Sequence, residues 1–390
     1  MQVWQAGLIK NRVLLVLWLA GALSAALLPL LTHAPNRLVT GKGISFAAVL
    51  SGWHGLVLIP ALVLAIAPFC RKHPLRDGIV LLACACWLSG LLALAGHEAQ
   101  QLALTDSSYS RTSFGGGAWI LWGLGWLAAA DALGQLKLGP RNTVLVALAV
   151  LAPGIGLLFS GQLSALSVLK EYANRRDVFD AALSRHLEIV SATLVPTLLI
   201  GVPLGVITFR RTWLRGPVFS VLNLIQTIPS IALFGLLLAP LAALATHVPL
   251  LAQWGISGIG VTPAVIALTL YSLLPMARGT AAGLAQVPAA AVEAARGMGM
   301  SPRQIFWQVE VPLALPVLLS GLRITTVQAI GLTTVAALIG AGGFGAIMFQ
   351  GLLSSALDLV LLGAIPVIAL AIAADALFKL LGSVLGERGQ

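Results

Sequence analysis

Apolar residues run through this chain in long blocks separated by short polar or basic stretches. We count ten blocks near the twenty-residue length that crosses the hydrocarbon of a bilayer. Five come early, at about 13–31, 47–69, 79–96, 118–134 and 144–161, and five later, at about 187–209, 218–238, 262–276, 313–339 and 359–380. Long apolar blocks in lipid fold as helices, because a helix satisfies its own backbone groups. The expected fold class is therefore an all-α polytopic membrane protein with about ten transmembrane helices. The first block exceeds a signal-peptide core and shows no small-x-small cleavage site, which points to an uncleaved anchor. Two polar stretches interrupt the pattern. One, 162–185, reads as an external connecting loop dividing an N-terminal membrane region of about five helices, 1–161, from a second region, 186–381, with a short tail at 382–390. The other, 286–312, lies between two late blocks.

Composition agrees with this setting. The chain is 58% hydrophobic and 9% charged, against about 25% charged in soluble domains, and its mean hydropathy is +0.97. The formal charge of +10 reflects 23 Lys and Arg against 13 Asp and Glu. These basic residues form no aromatic-interleaved patch, so no nucleic-acid partner is expected, and their distribution reports membrane orientation instead. Placing the N-terminus in the cytoplasm puts Lys10, Arg12, Arg71, Lys72, Arg210, Arg211, Arg296, Arg303 and Arg388 inside, with Arg37 among the few outside. Both termini and the 286–312 stretch are then cytoplasmic. The basic residues of 162–185 run against that arrangement. Cys84 and Cys86 face different sides of a helix, so neither a mutual disulfide nor a metal site is expected.

The 286–312 stretch is more ordered than a connecting loop needs to be. Pro288 can open a short helix over alanine-rich 289–296, and Gly299 can supply the left-handed residue that ends it. Ser301, Pro302 and Gln304 then form a capping-box start for a second helix, which Pro312 would close. A helix, a turn and a helix outside the bilayer have the shape of a docking element. Small alanines permit close approach, and Glu293 offers a strong acceptor to a partner. An amphipathic loop without a partner is the plainer alternative.

The same residues resemble the EAA loop of the permease subunits of binding-protein-dependent ABC importers. Glu293-Ala294-Ala295, Gly299, Val309, Val311 and Pro312 keep its spacing, with the valines in place of Ile and Leu. Three further stretches resemble the osmoprotectant branch for glycine betaine, carnitine and choline. They are His186-Leu187 leading to Leu199 through Gly205, Asn223 through Ser230, and Leu338 through Gly345. Together they cover roughly 185–380, and the first 160 residues resemble a subgroup with extra N-terminal helices. The resemblance implies a type I (MetI-like) permease core. Its EAA loop, at Glu293, Ala294, Ala295, Gly299, Val309 and Pro312, would couple to a cytoplasmic ABC ATPase dimer. A periplasmic substrate-binding protein and a second permease subunit, identical or related, are implied too, in a bacterial inner membrane. ATP and Mg would sit on the ATPase, with no cofactor on this chain.

Polar residues within the apolar blocks are the candidates for a translocation pathway or a subunit interface. Asn223, Gln226, Thr227 and Ser230 recur three and four apart, and Pro229 can bend their helix. Ordinary interhelical hydrogen bonding is the alternative. Gly201 and Gly205 form a small-xxx-small face, with Pro203 between them. Arg323 snorkels toward headgroups, or else pairs or lines a pathway with Gln328 nearby. Asp358 and Asp375, near the ends of the last block, are expected to reach water. Gly340–Gly345 suits a tight turn.

No enzyme constellation is present. The six histidines are scattered without metal spacing, and no Gly-rich loop leads to Lys and Ser or Thr, so this chain is not expected to hydrolyse ATP. Beside a non-transporting membrane scaffold as the plainest reading, two other transport readings stay open. One is an ABC permease for another small solute such as methionine; the other is an ion-gradient-driven secondary transporter.

Overall fold

The computed structural model describes residues 8–36, 39–107, 109–250 and 256–386. Arg37, Arg388 and the last four residues of the expected tail lie outside them. The chain separates into two compact units, Met1–Asn174 and Arg175–Gln390. Among the described residues, seven helices are long and apolar enough to cross a membrane, and three apolar helical stretches are shorter. The all-α expectation holds, with a small sheet added.

In the first unit, α1 (Arg12–Leu27) starts on Asn11, whose side chain accepts from the Leu14 amide at 3.0 Å. It stops short of the expected residue 31. Pro29 disfavours a helical conformation at Leu28, which is extended at φ −111° and ψ 147°. The chain continues as β1 (Pro29–Ala34), which pairs antiparallel with β2 (Lys42–Ser45) on one side and β3 (Arg111–Phe114) on the other. The expected block at 47–69 is fragmented into α2 (Phe46–Val49), a 3-10 stretch Gly52–Val57, α3 (Leu58–Ile66) and a 3-10 turn Ala67–Phe69.

The long helix α4 (Pro74–Thr105) then packs against α5 (Gly116–Gln135) and α6 (Pro140–Phe159). It exceeds its apolar block at both ends because polar residues cap it. His73 accepts from the Leu75 amide, and the Asp106 amide closes the other end on Leu102. Trp18 Nε1 donates to Ala61 O at 3.0 Å, tying α1 to α3. A polar network closes one end of the unit. Asn11 and Gln135 donate to Asp131 at 2.7 and 2.8 Å, and buried Arg76 reaches both Asp77 and Gln135.

The 162–185 stretch, expected as an external connecting loop, is largely helical. It holds α7 (Ser167–Asn174) and the first turns of α8 (Arg176–Arg210). Most of its charges sit on helices: Arg111 pairs with buried Glu171 at 3.1 Å, and Lys170 donates to Ser110 O. Polarity there marks helical faces rather than loss of helix.

The second unit continues through α9 (Thr212–Thr227), α10 (Ser230–His247), α11 (Val261–Ala285), α12 (Ala289–Gly297), α13 (Pro302–Ile305), a π-turn Phe306–Glu310, α14 (Val311–Ala336), α15 (Phe344–Leu353) and α16 (Leu357–Gly386). α11 packs against both α8 and α14, which also touch each other where His186 Nε2 meets Ile330 O at 3.1 Å. The small-xxx-small face brings α8 against α11: a Cβ on Gly205 would lie 2.4 Å from Thr280 Cβ, and one on Gly201 2.9 Å from Met276 Cβ. At one end of the unit the Gly260 amide donates to Ile339 O at 2.7 Å, so the start of α11 and the end of α14 meet there. The 286–312 stretch therefore lies at the opposite end. Gly340, Gly342 and Gly343 all have positive φ in the turn that precedes α15, as the glycine run predicted.

Candidate functional site

The 286–312 stretch folds as the spacing predicts over most of its length. Pro288 is the N-cap of α12, and Gly299 at φ +81° ends the turn while its amide and that of Met300 close on Arg296 O and Ala295 O. The capping box forms, with the Ser301 amide donating to Gln304 at 2.8 Å and the Gln304 amide donating to Ser301. Ala295 is buried and fixes α12 in place, while Glu293, Ala294 and Gly299 are exposed.

Pro312 does not close the second helix. α13, the π-turn, α14 and a 3-10 turn form one continuous helix, Pro302–Ile339. The Val311 amide bonds back to Phe306 O, one residue further than in an α-helix. That shift opens the ladder just before Pro312, which sits in the first turn of α14 where an amide hydrogen is dispensable. Val309 is half-buried within the π-turn and Pro312 is exposed.

The π-turn ends on Glu310, which is 5% exposed and forms an ion pair with Arg210, the last residue of α8. The Arg210 guanidinium also lies 5.7 Å from the ring centroids of both Phe209 and Phe306. A cavity of about 550 Å³ opens beside the pair, walled by Val206 of α8, Val292 and Arg296 of α12, and Arg303 and Phe306. Neither Arg210 nor Glu310 belongs to the motif spacing. Their only signal in the sequence is a lone acid and the first of two adjacent arginines at the edges of apolar blocks, with nothing to pair them across a hundred residues.

The expected span at 218–238 is two helices. The chain breaks at Ile228 and Pro229, both extended in ψ at 126° and 139°. The polar stripe is divided by this break, with Asn223, Gln226 and Thr227 on α9 and half-buried Ser230 opening α10. Gln226 Nε2 donates to Tyr271 O at 2.8 Å. That carbonyl lacks its helical partner because the residue four further on is Pro275. In return Tyr271 O–H donates to Ile228 O at the break. Asn223 accepts from Arg278 at 2.9 Å, Arg278 lies 5.8 Å from the Phe219 ring, and Thr227 bonds back to Leu224 O. Each of the three α9 residues thus makes an interhelical or intrahelical bond. Tyr271, the residue that organises the break, was not signalled by spacing.

Arg323 does not extend freely toward headgroups. It pairs with Asp375 of α16 at 3.2 Å, and Lys379 meets the same carboxylate at 2.7 Å. Asp358 is buried, against expectation, whereas Asp375 keeps about one-third of its side chain exposed. Helix packing supplies partners that the sequence does not display. Gln328 is half-buried on α14, one turn beyond Thr325 and Thr326, whose hydroxyls bond back to Gly321 O and Leu322 O. Outside the spans, His33 bonds Asp106 at 3.0 Å and Thr112 at 2.9 Å. The His33 bond, reinforced by the Ser107 amide, holds the Asp106 carboxyl below its usual value.

Comparison with known proteins gives this arrangement its family. Residues 10–169 match the N-terminal domain of the ABC transporter permease YehY, and residues 197–385 match the binding-protein-dependent transport system inner membrane component. The osmoprotectant import permease protein OsmW of Salmonella typhimurium is 43% identical over 209 residues, which span 53% of this chain and 90% of that protein. The osmoprotectant import permease protein OsmY of the same organism is 36% identical over 63% of this chain and 93% of its own length. The choline transport system permease protein OpuBB of Bacillus subtilis is 37% identical over 49% and 80%. Among solved structures, a chain of the inward-facing MetNI methionine ABC transporter aligns with 53% of this chain and 97% of its own, at 24% identity and a TM-score of 0.44. The chain belongs to the binding-protein-dependent transport system inner membrane components, the multi-pass permease subunits of ABC importers, and carries a YehY-type N-terminal domain ahead of the family core.

Proposed function

We propose that this chain is the translocation subunit of an ATP-driven importer for glycine betaine or a related osmoprotectant, and that the exposed face of α12 around Glu293, within the 286–312 stretch, is where the ATPase grips it. The observation that carries the reading is mechanical. An exposed helix bearing Glu293 is joined through a single turn to one continuous helix, Pro302–Ile339, that enters the membrane region. Force applied to α12 is therefore delivered to a span without a flexible linker.

Two cytoplasmic ATPase subunits, carrying ATP and Mg, would close on two such loops, one from this chain and one from an identical or related permease. A periplasmic binding protein would supply solute at the end of the bundle where Gly260 meets Ile339. Both termini lie in the cytoplasm of this scheme, and the membrane is the bacterial inner membrane. The chain itself hydrolyses nothing. The broken helix at Ile228–Pro229, strapped by Tyr271 and Gln226, is the two-state element that closure would bias. Substrate class rests on the relatives, whose names specify osmoprotectants and choline.

Reconstitution with the ATPase and binding protein that co-purify with this chain from its own membranes tests the reading. Labelled glycine betaine, choline, carnitine and methionine are offered separately with ATP inside the vesicles. Uptake of a betaine-type solute, reduced by Glu293→Ala while the protein stays in the membrane, is the expected result. Uptake of methionine alone would reassign the substrate, and unchanged coupling in the Glu293→Ala complex would remove the docking role.

A further inference from the structure

The loop has two mechanical outlets, and the family spacing marks one of them. Through the continuous helix it reaches α14. Through Glu310 it reaches the end of α8. The second outlet has four features suited to transmitting movement. Its acid is buried at 5% exposure, so separation from Arg210 would leave an unpaired charge. Its base is oriented by two rings, Phe209 from α8 and Phe306 from the π-turn. The acid ends a single π-turn, an interruption of the helical ladder frequent at functional sites. Finally, the pair borders the cavity of about 550 Å³ between α8 and α12, so these elements have room to approach.

We infer that Glu310 and Arg210 are positioning residues that carry displacement of the loop to α8. Solute-dependent stimulation of hydrolysis depends on the pair, whereas attachment of the ATPase does not, because attachment uses the exposed face of α12 around Glu293. This inference rests on the importer reading above. If the pair served only to hold the loop in shape, its loss would weaken attachment, basal hydrolysis and stimulation together.

The test uses the complete transporter in lipid nanodiscs, with its ATPase and with binding protein loaded with the solute found in the uptake assay. Glu310→Gln, Arg210→Gln, the double Gln variant, the charge swap Arg210→Glu with Glu310→Arg, and Arg210→Lys are compared with wild type. Three quantities are read: ATPase recovered per permease, basal hydrolysis, and the ratio of stimulated to basal hydrolysis. Recovery and basal hydrolysis should stay within about twofold, while the ratio falls by about fivefold or more, the lower end of ordinary allosteric coupling. The double Gln variant should be no worse than either single variant, and the charge swap should recover part of the ratio. Recovery falling in step with stimulation, or losses that simply multiply in the double variant, would overturn the assignment. Should Glu310→Gln not assemble, Arg210→Lys decides by the same ratio, since it keeps the charge and loses the planar fork held between the rings. A wild-type complex that shows no stimulation would instead bring down the importer reading, and this assignment with it.

Discussion

Pro275 removes the amide that would have held the Tyr271 carbonyl, and Gln226 from another helix replaces it. Gln226→Leu leaves that carbonyl unpaired in an apolar setting and should cost about 1–3 kcal/mol. Thermal unfolding in detergent reads the loss, and an unchanged midpoint would show the bond to be dispensable. His33 acts similarly outside the spans. The Asp106 carboxyl titrates lower in the folded chain than in the unfolded one, so its contribution is complete above the ordinary carboxylate value and fades as pH falls through the folded one. His33→Ala should therefore shift acid loosening of β1 and β3 to higher pH, seen as faster amide exchange of Thr112 and Ser113 at about pH 4. At this scale local chemistry was legible in the sequence: the capping box, the left-handed Gly299 and the close-packing Gly205 are all where spacing put them. Partners across helices were not. Arg323 with Asp375, and Gln226 with Tyr271, each require a contact that no neighbouring residue announces.

Elements were legible wherever one helix buries one apolar block. They failed where the backbone changes course inside such a block, at Pro29 and at Ile228–Pro229, because hydropathy averages over the change. The sheet was missed for a different reason: its strands are four to six residues long, and β1 and β3 lie far apart in sequence. The π-turn leaves no hydropathy trace, since one added residue in a helix does not alter composition. It does set the angle at which the loop is presented. Deleting Gln308 should convert the π-turn to α-helix and rotate α12 and α13 by about 100° relative to α14. Spans should still insert, while recovery of the ATPase falls steeply; undiminished recovery would mean that this angle does not matter.

For the molecule as a whole, the family core and the YehY-type domain meet the importer class without any nucleotide or metal chemistry in the motifs of this chain. On the proposed importer reading, energy arrives through a partner ATPase. Uptake by the reconstituted complex should persist when ionophores collapse proton and sodium gradients at constant ATP, and stop when ATP is removed. The opposite pattern would identify a secondary transporter. The broken helix adds a consequence for how the protein is made. α9 has 16 residues, about 24 Å of helix, less than the roughly 30 Å of hydrocarbon it would have to cross alone. The hydroxyl that satisfies the Ile228 carbonyl at the break belongs to a residue 43 positions later. At about 5–20 residues per second of synthesis, that carbonyl waits roughly two to nine seconds for its partner. The bend is therefore a late event in the life of the nascent chain, completed only once α11 has emerged and been threaded into the membrane beside it.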